Sequence, residues 1–332
     1  MRVLVGDIGG TKTLLAIARV DASRVTVEAR ERYDSAGSPD LLSLVRRFCE
    51  ARACEGLTAA FGAAGPVRDN VCRTTNLPWV IDGDAIARDL GLASARVIND
   101  FEAAALGVAA LDDEDLVPVQ RGDADPGAPR AVLGAGTGLG EATLVPVEGG
   151  WRALPGEGGH VDFGPRDARE DGLLAFLRAR HGRVSVERVA SGLGLPDLYD
   201  YLKSLGRSES AEVAAELARE DPGAVIGEHA LAGDDPLCAE TVELFLGAFG
   251  AEAGNLALKV LARGGVYLAG GIAPRLASLI TAPEGPFLAG FRDKGRMREL
   301  IEAVPVWIIT EPELPLYGAA LTAARVTPSA SP

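Results

Sequence analysis

The stretch Val3-Leu4-Val5-Gly6-Asp7-Ile8-Gly9-Gly10-Thr11-Lys12-Thr13-Leu14-Leu15-Ala16-Ile17-Ala18 decides how this chain is read. Two short apolar runs flank a glycine-rich turn, the pattern of a β-hairpin. The pattern returns further on. Ala131-Val132-Leu133 leads into Gly134-Ala135-Gly136-Thr137-Gly138-Leu139-Gly140, and Ala142-Thr143-Leu144-Val145 follows. The two stretches share an arrangement rather than an identity, which makes a weak internal repeat. A third glycine turn, Gly270-Gly271, ends the apolar run Val266-Tyr267-Leu268-Ala269.

Outward from these turns, strand-like and helix-like segments alternate. Leu41, Leu44, Val45 and Phe48 have helical spacing within 40–54, and 84–92 has it just before Arg96-Val97-Ile98. Such alternation predicts an α/β class. The segment Leu111 to Ala128 is acidic and rich in Asp, Gly and Pro, and reads as a surface loop or lobe boundary. Residues 170–262 read as mostly helical, Val304 to Ile309 as a strand, and Leu316 to Ala324 as a closing helix. Residues 328–332 read as a loose tail.

The 332 residues are enough for two lobes or one large α/β unit. With 47% hydrophobic and 24% charged residues, the composition is that of a globular chain rather than a disordered one. Lys plus Arg total 33 against 47 Asp plus Glu, a net charge of -14. A surface of that sign repels polyanions, so neither nucleic acid nor an anionic membrane is an expected partner. A small anionic ligand would have to be held by backbone amides, a metal ion or a local positive group. Four cysteines, Cys49, Cys54, Cys72 and Cys238, are too scattered for a disulfide framework and form no CxxC pair. No secretory pattern opens the chain and no apolar run approaches the roughly 18 residues of a membrane span, so a cytoplasmic location is expected.

The glycine turns suit that small anion. Without a Cβ the backbone can approach a ligand closely and aim its N–H groups at phosphate oxygens. Thr11, Thr13 and Thr137 add hydroxyl donors. Asp7 offers a carboxylate for Mg²⁺, through water, and Lys12 a point charge for a terminal phosphate. Two familiar phosphate motifs are absent. Thr11 rather than Gly precedes Lys12, and the turn runs into a strand rather than a helix, so it is no P-loop. Leu139 stands where the third glycine of GxGxxG would follow Gly134 and Gly136. A tight hairpin with no ligand is the competing account of any one of these turns.

Polar residues gather in two further places. In Ile98-Asn99-Asp100-Phe101-Glu102, an Asn-Asp pair stands at a strand end before an Ala-rich run. It reads either as a helix N-cap or as a general base, Asp100, that takes a proton from a substrate hydroxyl. Leu154-Pro155-Gly156-Glu157-Gly158-Gly159-His160-Val161-Asp162-Phe163-Gly164 packs Glu, His and Asp into a loop with little core-building value. Glu157 and His160 alone are too few ligands for a zinc site. Glu187 reads either as a first-turn helix acid or as one more acceptor. Together these donors and acceptors suit a sugar-sized polyol.

These motifs, with Ser191-Gly192, Gly254-Asn255-Leu256-Ala257-Leu258, Leu268 to Arg275 and Asp293-Lys294-Gly295-Arg296, resemble in order and spacing the bacterial ATP-dependent glucokinases over nearly the whole chain. The resemblance implies a two-lobed actin-like ATPase fold, ribonuclease H-like, with mixed five-stranded sheets and the active site in the cleft between domains. It implies a small α/β domain of 1–107 plus 312–332 and a large one of 108–311. By the same transfer, Asp7, Gly9, Gly10, Thr11, Lys12, Gly136, Thr137 and Gly138 attend the ATP phosphates and Gly270 and Gly271 the adenosine side. Asn99, Asp100, Glu157, His160 and Glu187 bind glucose, with Asp100 as base, and Thr75-Asn76-Leu77-Pro78-Trp79 sits near the sugar. The implied reaction makes glucose 6-phosphate for glycolysis, with Mg²⁺ as cofactor and a homodimer as the working form.

Lys12 stands where these glucokinases commonly have Asn, and Val161-Asp162-Phe163 stands where the related repressor/kinase group carries a Cys-rich zinc loop, so no structural zinc is expected. Two alternatives remain open: a kinase for mannose, fructose or N-acetylglucosamine, and a sugar-responsive regulator on the same scaffold, which would need a DNA-binding helix-turn-helix.

Overall fold

The computed structural model describes residues 1–325, so the tail expected at 328–332 lies outside the described residues. Contacts divide the chain into two units. One comprises Met1–Asp115, Val147–Pro155 and the chain from Glu311 on, and the other Leu116–Pro146 and Gly156–Thr310. The resemblance implies breaks at 107/108 and 311/312; the contacts place them at 115/116 and 310/311 and add 147–155 to the first unit.

The first unit is built on a five-stranded sheet of order β3-β2-β1-β4-β8, with β1 Arg2–Ile8, β2 Lys12–Asp21, β3 Arg24–Asp34, β4 Thr58–Ala63 and β8 Ser94–Asn99. The strands β5 Val67–Arg68, β6 Val71–Arg73 and β7 Val80–Asp82 form a small antiparallel sheet of their own. The hairpin read around the first turn is present, β1 antiparallel to β2 with Gly6 opposite Leu15. Its other edge is different. There β1 runs parallel to β4, and β4 parallel to β8, so Ile8 aligns with Ala63 and Ala63 with Asn99. Three strands therefore end at one edge of the sheet.

Side chains alternate across β1: Val3 and Val5 pack with Ala16, Ala60 and Leu316, while Leu4 and Ile8 pack with Phe48 and Phe61. The strand is covered on both faces, which is why it reads as an unbroken apolar run. The helix Leu41–Glu50 buries Leu41, Leu44, Val45 and Phe48, the four apolar positions that the spacing predicts, and Asp40 caps it by accepting from Ser43 N. The closing helix, Leu314–Arg325, packs against the helix Asp100–Gly107 at backbone contact. A Cβ on Gly318 would lie 1.7 Å from Ala103 O, and one on Gly107 2.2 Å from Leu314 O.

The second unit carries five strands of a mixed sheet, the number expected. Their order is β11-β10-β13-β14-β9, with β9 Leu116–Gln120, β10 Arg130–Ala135, β11 Leu139–Val147, β13 Val266–Ala269 and β14 Val306–Ile309, while β12 Gly150–Gly156 falls in the 147–155 segment counted with the first unit. The strand β9 lies inside the segment read as a loop, and its antiparallel partner β14 explains why. Pro118 lacks an N–H, and an edge position tolerates that loss. The pairing of β10 repeats that of β1, antiparallel to the next strand, β11, and parallel to a later one, β13. The helical region contains Ala168–His181, Leu195–Ser204, Pro222–Ala232 and the long helix Pro236–Val260. On that helix Phe245 stacks on Phe249, which meets Phe287 at a tilt, and Phe287 stacks on Phe291 in the core. All four cysteines are free, and no helix among the described residues is long and apolar enough to cross a membrane.

Because the two helices of the first unit meet backbone to backbone, Gly318→Ala should destabilise the protein by about 1–3 kcal/mol, the ordinary cost of overpacking. Urea denaturation checks this, and an unchanged midpoint would contradict the close crossing.

Candidate active site

In the first unit the aligned ends of β1, β4 and β8 bring Asp7, Asn99 and Asp100 to the same edge of the sheet. Asp100 opens the helix Asp100–Gly107, and its Oδ1 accepts from Phe101 N at 2.9 Å. Asn99 is the N-cap: its Oδ1 accepts from Phe101 N at 2.9 Å and Glu102 N at 3.1 Å. Its Nδ2 donates to Gly65 O at 3.3 Å. The capping account of Asn99 is thus correct, and capping fixes the direction in which the next residue, Asp100, leaves the strand. The helix can begin this close to the sheet because Gly62 has no side chain. A Cβ there would be 3.0 Å from the Cβ of Ala103.

Burial dominates the electrostatics of this edge. The Asp7 carboxyl is pushed up to about 6 by loss of solvation and then by the negative charge of Asp100, against the attraction of Lys12. The carboxyl of Asp100 is also raised by burial, against its own hydrogen bonds from Phe101 N–H and the Asn99 side chain. Two half-buried carboxylates beside one exposed lysine make a place where a bound cation or a transferable proton is favoured.

The turn that joins β1 to β2 is held by a residue with no signal in the sequence. Ser35 is fully buried. Its Oγ donates to Gly9 O at 2.9 Å and lies 2.9 Å from Thr13 Oγ1, and its N–H donates to Thr11 O at 3.0 Å. Gly9 N in turn donates to Lys12 O at 2.9 Å. Thr11 and Lys12 are exposed. Asn76 sits against Gly10, where a Cβ would come within 2.8 Å of it, so the 74–79 segment borders this turn.

The second unit assembles the other candidates around the turn between β10 and β11. Gly136 N donates to Gly138 O at 2.9 Å, and Gly192 N and Leu193 N donate to Gly136 O and Thr137 O at 2.8 and 3.2 Å. The Ser191-Gly192 segment therefore braces the turn from behind. The Glu187 carboxylate accepts from Leu139 N at 2.9 Å and lies so close to Gly138 that a Cβ there would be 2.5 Å from Glu187 Oε2. Glu187 is both an acceptor tied to the glycine turn and the acid in the first turn of a short 3₁₀ helix. It belongs to the short 3₁₀ turn Val186–Arg188, and Ser191 Oγ donates to its carbonyl at 2.6 Å.

His160 lies between two carboxylates: its Nδ1 is 3.9 Å from Glu187 Oε1 and its Nε2 is 3.8 Å from Glu157 Oε2. Both gaps exceed hydrogen-bond length, so each leaves room for a guest hydroxyl to bridge. Exposure falls from 86% for the Glu157 side chain to 62% for His160 and 22% for Glu187. The three thus form one open wall whose base is Glu187. Arg183, which the sequence does not advertise, holds that wall by donating to His160 O at 2.8 Å and pairing with Asp162 at 2.7 Å. The third glycine turn joins the same sheet edge, since Gly134 pairs with Ala269. Gly270 has φ +82, and a Cβ on it would meet Ala135 O at 2.4 Å.

The structure thus brings Asp7, the 9–12 turn, Asn99 and Asp100 together in the first unit. In the second it brings together Gly136–Gly138, Glu157, His160, Glu187 and Gly270–Gly271.

Comparison with known proteins identifies the family. The family model described as Glucokinase matches residues 4–326. The chain is 42% identical to the glucokinase of Nostoc punctiforme, with 98% of this chain and 99% of that one covered. Among solved structures it resembles a glucokinase from an Antarctic psychrotroph, with TM-score 0.83 and 30% identity, covering 98% of this chain and 99% of that one. It also resembles the Balamuthia mandrillaris glucokinase in complex with glucose, with TM-score 0.76 and 25% identity, covering 98% and 94%.

The raised Asp7 carboxyl carries a stability consequence. Its folded value of about 6 exceeds its ordinary value of 3.8, so its contribution is fully present below about pH 4 and is lost as pH rises through 6. The stability of the wild type relative to Asp7→Asn should therefore fall between about pH 4 and 6, by roughly 2–3 kcal/mol. Parallel denaturation curves across that range would rule this out.

Proposed function

The chain belongs to the glucokinase family, and from that premise we propose that Asp100 is the base through which it phosphorylates glucose with ATP. The 6-hydroxyl oxygen forms a bond to the γ-phosphorus, the bond from that phosphorus to the β,γ-bridging oxygen breaks, and ADP leaves. The hydroxyl proton passes to Asp100 as the oxygen attacks. The observation that carries this role is the placement of Asp100 at a helix start, on the edge where three strands end, with burial raising its proton affinity. A carboxylate that holds a proton more readily than usual is a better acceptor for an alcohol proton.

Glu157, His160 and Glu187 are the sugar wall in this reading. Two acceptors flank a ring that can donate or accept, which matches the alternating demands of vicinal hydroxyls. Apart from Gly9 N–H and Gly136 N–H, which donate within their own turns, the backbone N–H groups of the 9–12 and 136–138 turns are the phosphate contacts in this reading, with Lys12 as a point charge and Gly270–Gly271 toward the adenosine. Alignment and charge neutralisation carry most of a phosphoryl transfer, so fixed amides and a placed base suffice for much of the catalysis. In an acidic protein these amides attract phosphate without a basic surface.

Among the described residues no group of three or more His, Cys, Asp or Glu side chains is placed to hold a metal ion. The site still fits Mg²⁺, which keeps its waters and takes one or two carboxylates plus substrate phosphates. Asp7 would hold it through water, and the charge of Asp100 beside Asp7 favours a cation there. When bound, Mg²⁺ would offset the charge on the β- and γ-phosphates. A homodimer and a cytoplasmic location complete the proposal, both carried over from the family. Sedimentation velocity tests the first, where a monomer at micromolar concentration would contradict it.

Asp100→Asn should lower kcat by about 10²–10⁴ while the protein still binds glucose. Glu187→Gln should chiefly raise the KM for glucose. A coupled assay over glucose, mannose, fructose and N-acetylglucosamine measures both effects, with the product position read by NMR. Near-wild-type kcat in folded Asp100→Asn would remove it as the base.

A further inference from the structure

Beneath the sugar wall lies a carboxyl group that neither the motifs nor the reaction accounts for. Glu141 projects from β11 into the interior of the second unit and is 4% exposed. Its Oε1 is buried and accepts no hydrogen bond from the protein. Another buried acid of the same unit shows how unusual this is: Glu170 is gripped by the Arg166 guanidinium and accepts from Arg166 N at 2.8 Å. The neighbour of Glu141 on the long helix is also satisfied. Glu252 accepts from Asn255 Nδ2 at 2.9 Å and Lys259 Nζ at 3.0 Å. An orphaned buried carboxylate costs free energy, so its retention calls for an explanation.

The position of the group supplies one. A Cβ built on Gly158 would fall 1.7 Å from Glu141 Oε2 and 2.4 Å from its Cδ. The carboxyl thus occupies the slot that a side chain at 158 would fill, directly under the backbone between Glu157 and His160. The main chain of Glu141 supports the same loop, its carbonyl lying 3.5 Å from a Cβ position on Gly156.

We propose that Glu141 is a positioning residue for sugar binding: wedged under Gly158, its carboxyl sets the 157–160 backbone, and with it how Glu157 and His160 meet the hexose. This rests on the reading of that loop as the sugar wall. The surroundings favour the neutral form. Glu252 and Lys259 are the charged groups on the helix side, the supported loop carries Glu157 and His160, and no N–H or ammonium group neutralises Oε1. The Glu141 carboxyl is pushed up to about 7 by burial first and by the charge of Glu252 second, against Lys259. Raising the pH through neutrality ionises it and places a second negative charge under the loop, so the affinity for sugar should fall on the alkaline side.

The test is steady-state kinetics of the full chain with glucose and ATP varied separately, from about pH 6 to about 8.5. Wild-type turnover of glucose is the control: its absence would defeat the reading of the site, whereas turnover with unresponsive Glu141 variants would defeat only this inference. Glu141→Ala should raise the KM for glucose about fivefold, because the loop loses the group wedged beneath it, with the KM for ATP unchanged. Glu141→Gln keeps the shape of the neutral acid and should show a low KM for glucose that no longer rises with pH. Gly158→Ala should raise the KM for glucose, and adding Glu141→Ala should lower it again, because the added methyl then has the vacated slot. The proposal is overturned if Glu141→Gln follows the wild-type pH curve, or if the Gly158→Ala defect is the same with and without Glu141. Should Glu141→Ala fail to fold, the comparison of Glu141→Gln with wild type still decides.

Discussion

Parallel pairing makes neighbouring strands end together, and the arrangement of candidate groups in both units depends on that constraint. In the first unit β1, β4 and β8 stop at Ile8, Ala63 and Asn99, aligned with one another. In the second, β10 and β13 stop at Ala135 and Ala269, beside Gly136 and Gly270. Groups placed just beyond the carboxyl ends of parallel strands share one sheet edge, the usual place for a ligand in such folds. The antiparallel partner of β1 or β10 returns the chain through a glycine turn, which adds backbone N–H groups at the same edge. The resemblance between the two hairpins is thus a repeated solution to one geometric demand.

Charge follows the same logic. A chain with net charge of -14 offers little basic surface to a phosphate, and the proposed contacts through backbone amides at the glycine turns answer that constraint. Its buried carboxyls near the candidate groups lack full compensation: Asp7 faces Asp100, and Glu141 has no hydrogen-bond partner at Oε1. Elsewhere buried acids are paired, as Glu170 is with Arg166 and Glu252 with Lys259. Uncompensated burial is expensive, and its concentration around the glycine turns and the 157–160 loop is what a site under functional demand looks like.

Side chains without a motif hold those with one. Ser35 pins the 9–11 turn, Arg183 pins the carbonyl of His160, and Gly192 braces Gly136. Arg183 and Ser35 lie in polar stretches where serine and arginine are ordinary surface residues, so nothing in the local pattern marks them. The strand β4, Thr-Ala-Ala-Phe-Gly-Ala, escapes pattern reading for another reason. It is buried throughout, so no alternation of polar and apolar residues survives to announce it. The three short strands of the small sheet and the proline-bearing β9 are similarly silent, since their pairing partners rather than their propensities make them strands.

By itself the sequence determined the α/β class, the two glycine-turn hairpins, the amphipathic helices and the identity of most candidate groups. Those features are local: an apolar period, a run of glycines or an Asn-Asp pair carries its meaning within a few residues. Only the tertiary structure decided which of two local meanings applied, and which distant residues met. Asn99 became a cap because a helix starts there, Glu187 an acceptor because the turn at 138 has no side chain, and Glu141 an orphan because no donor of the surrounding elements reaches its Oε1. Such outcomes depend on distances between elements far apart in the chain, and no short-range pattern encodes a distance.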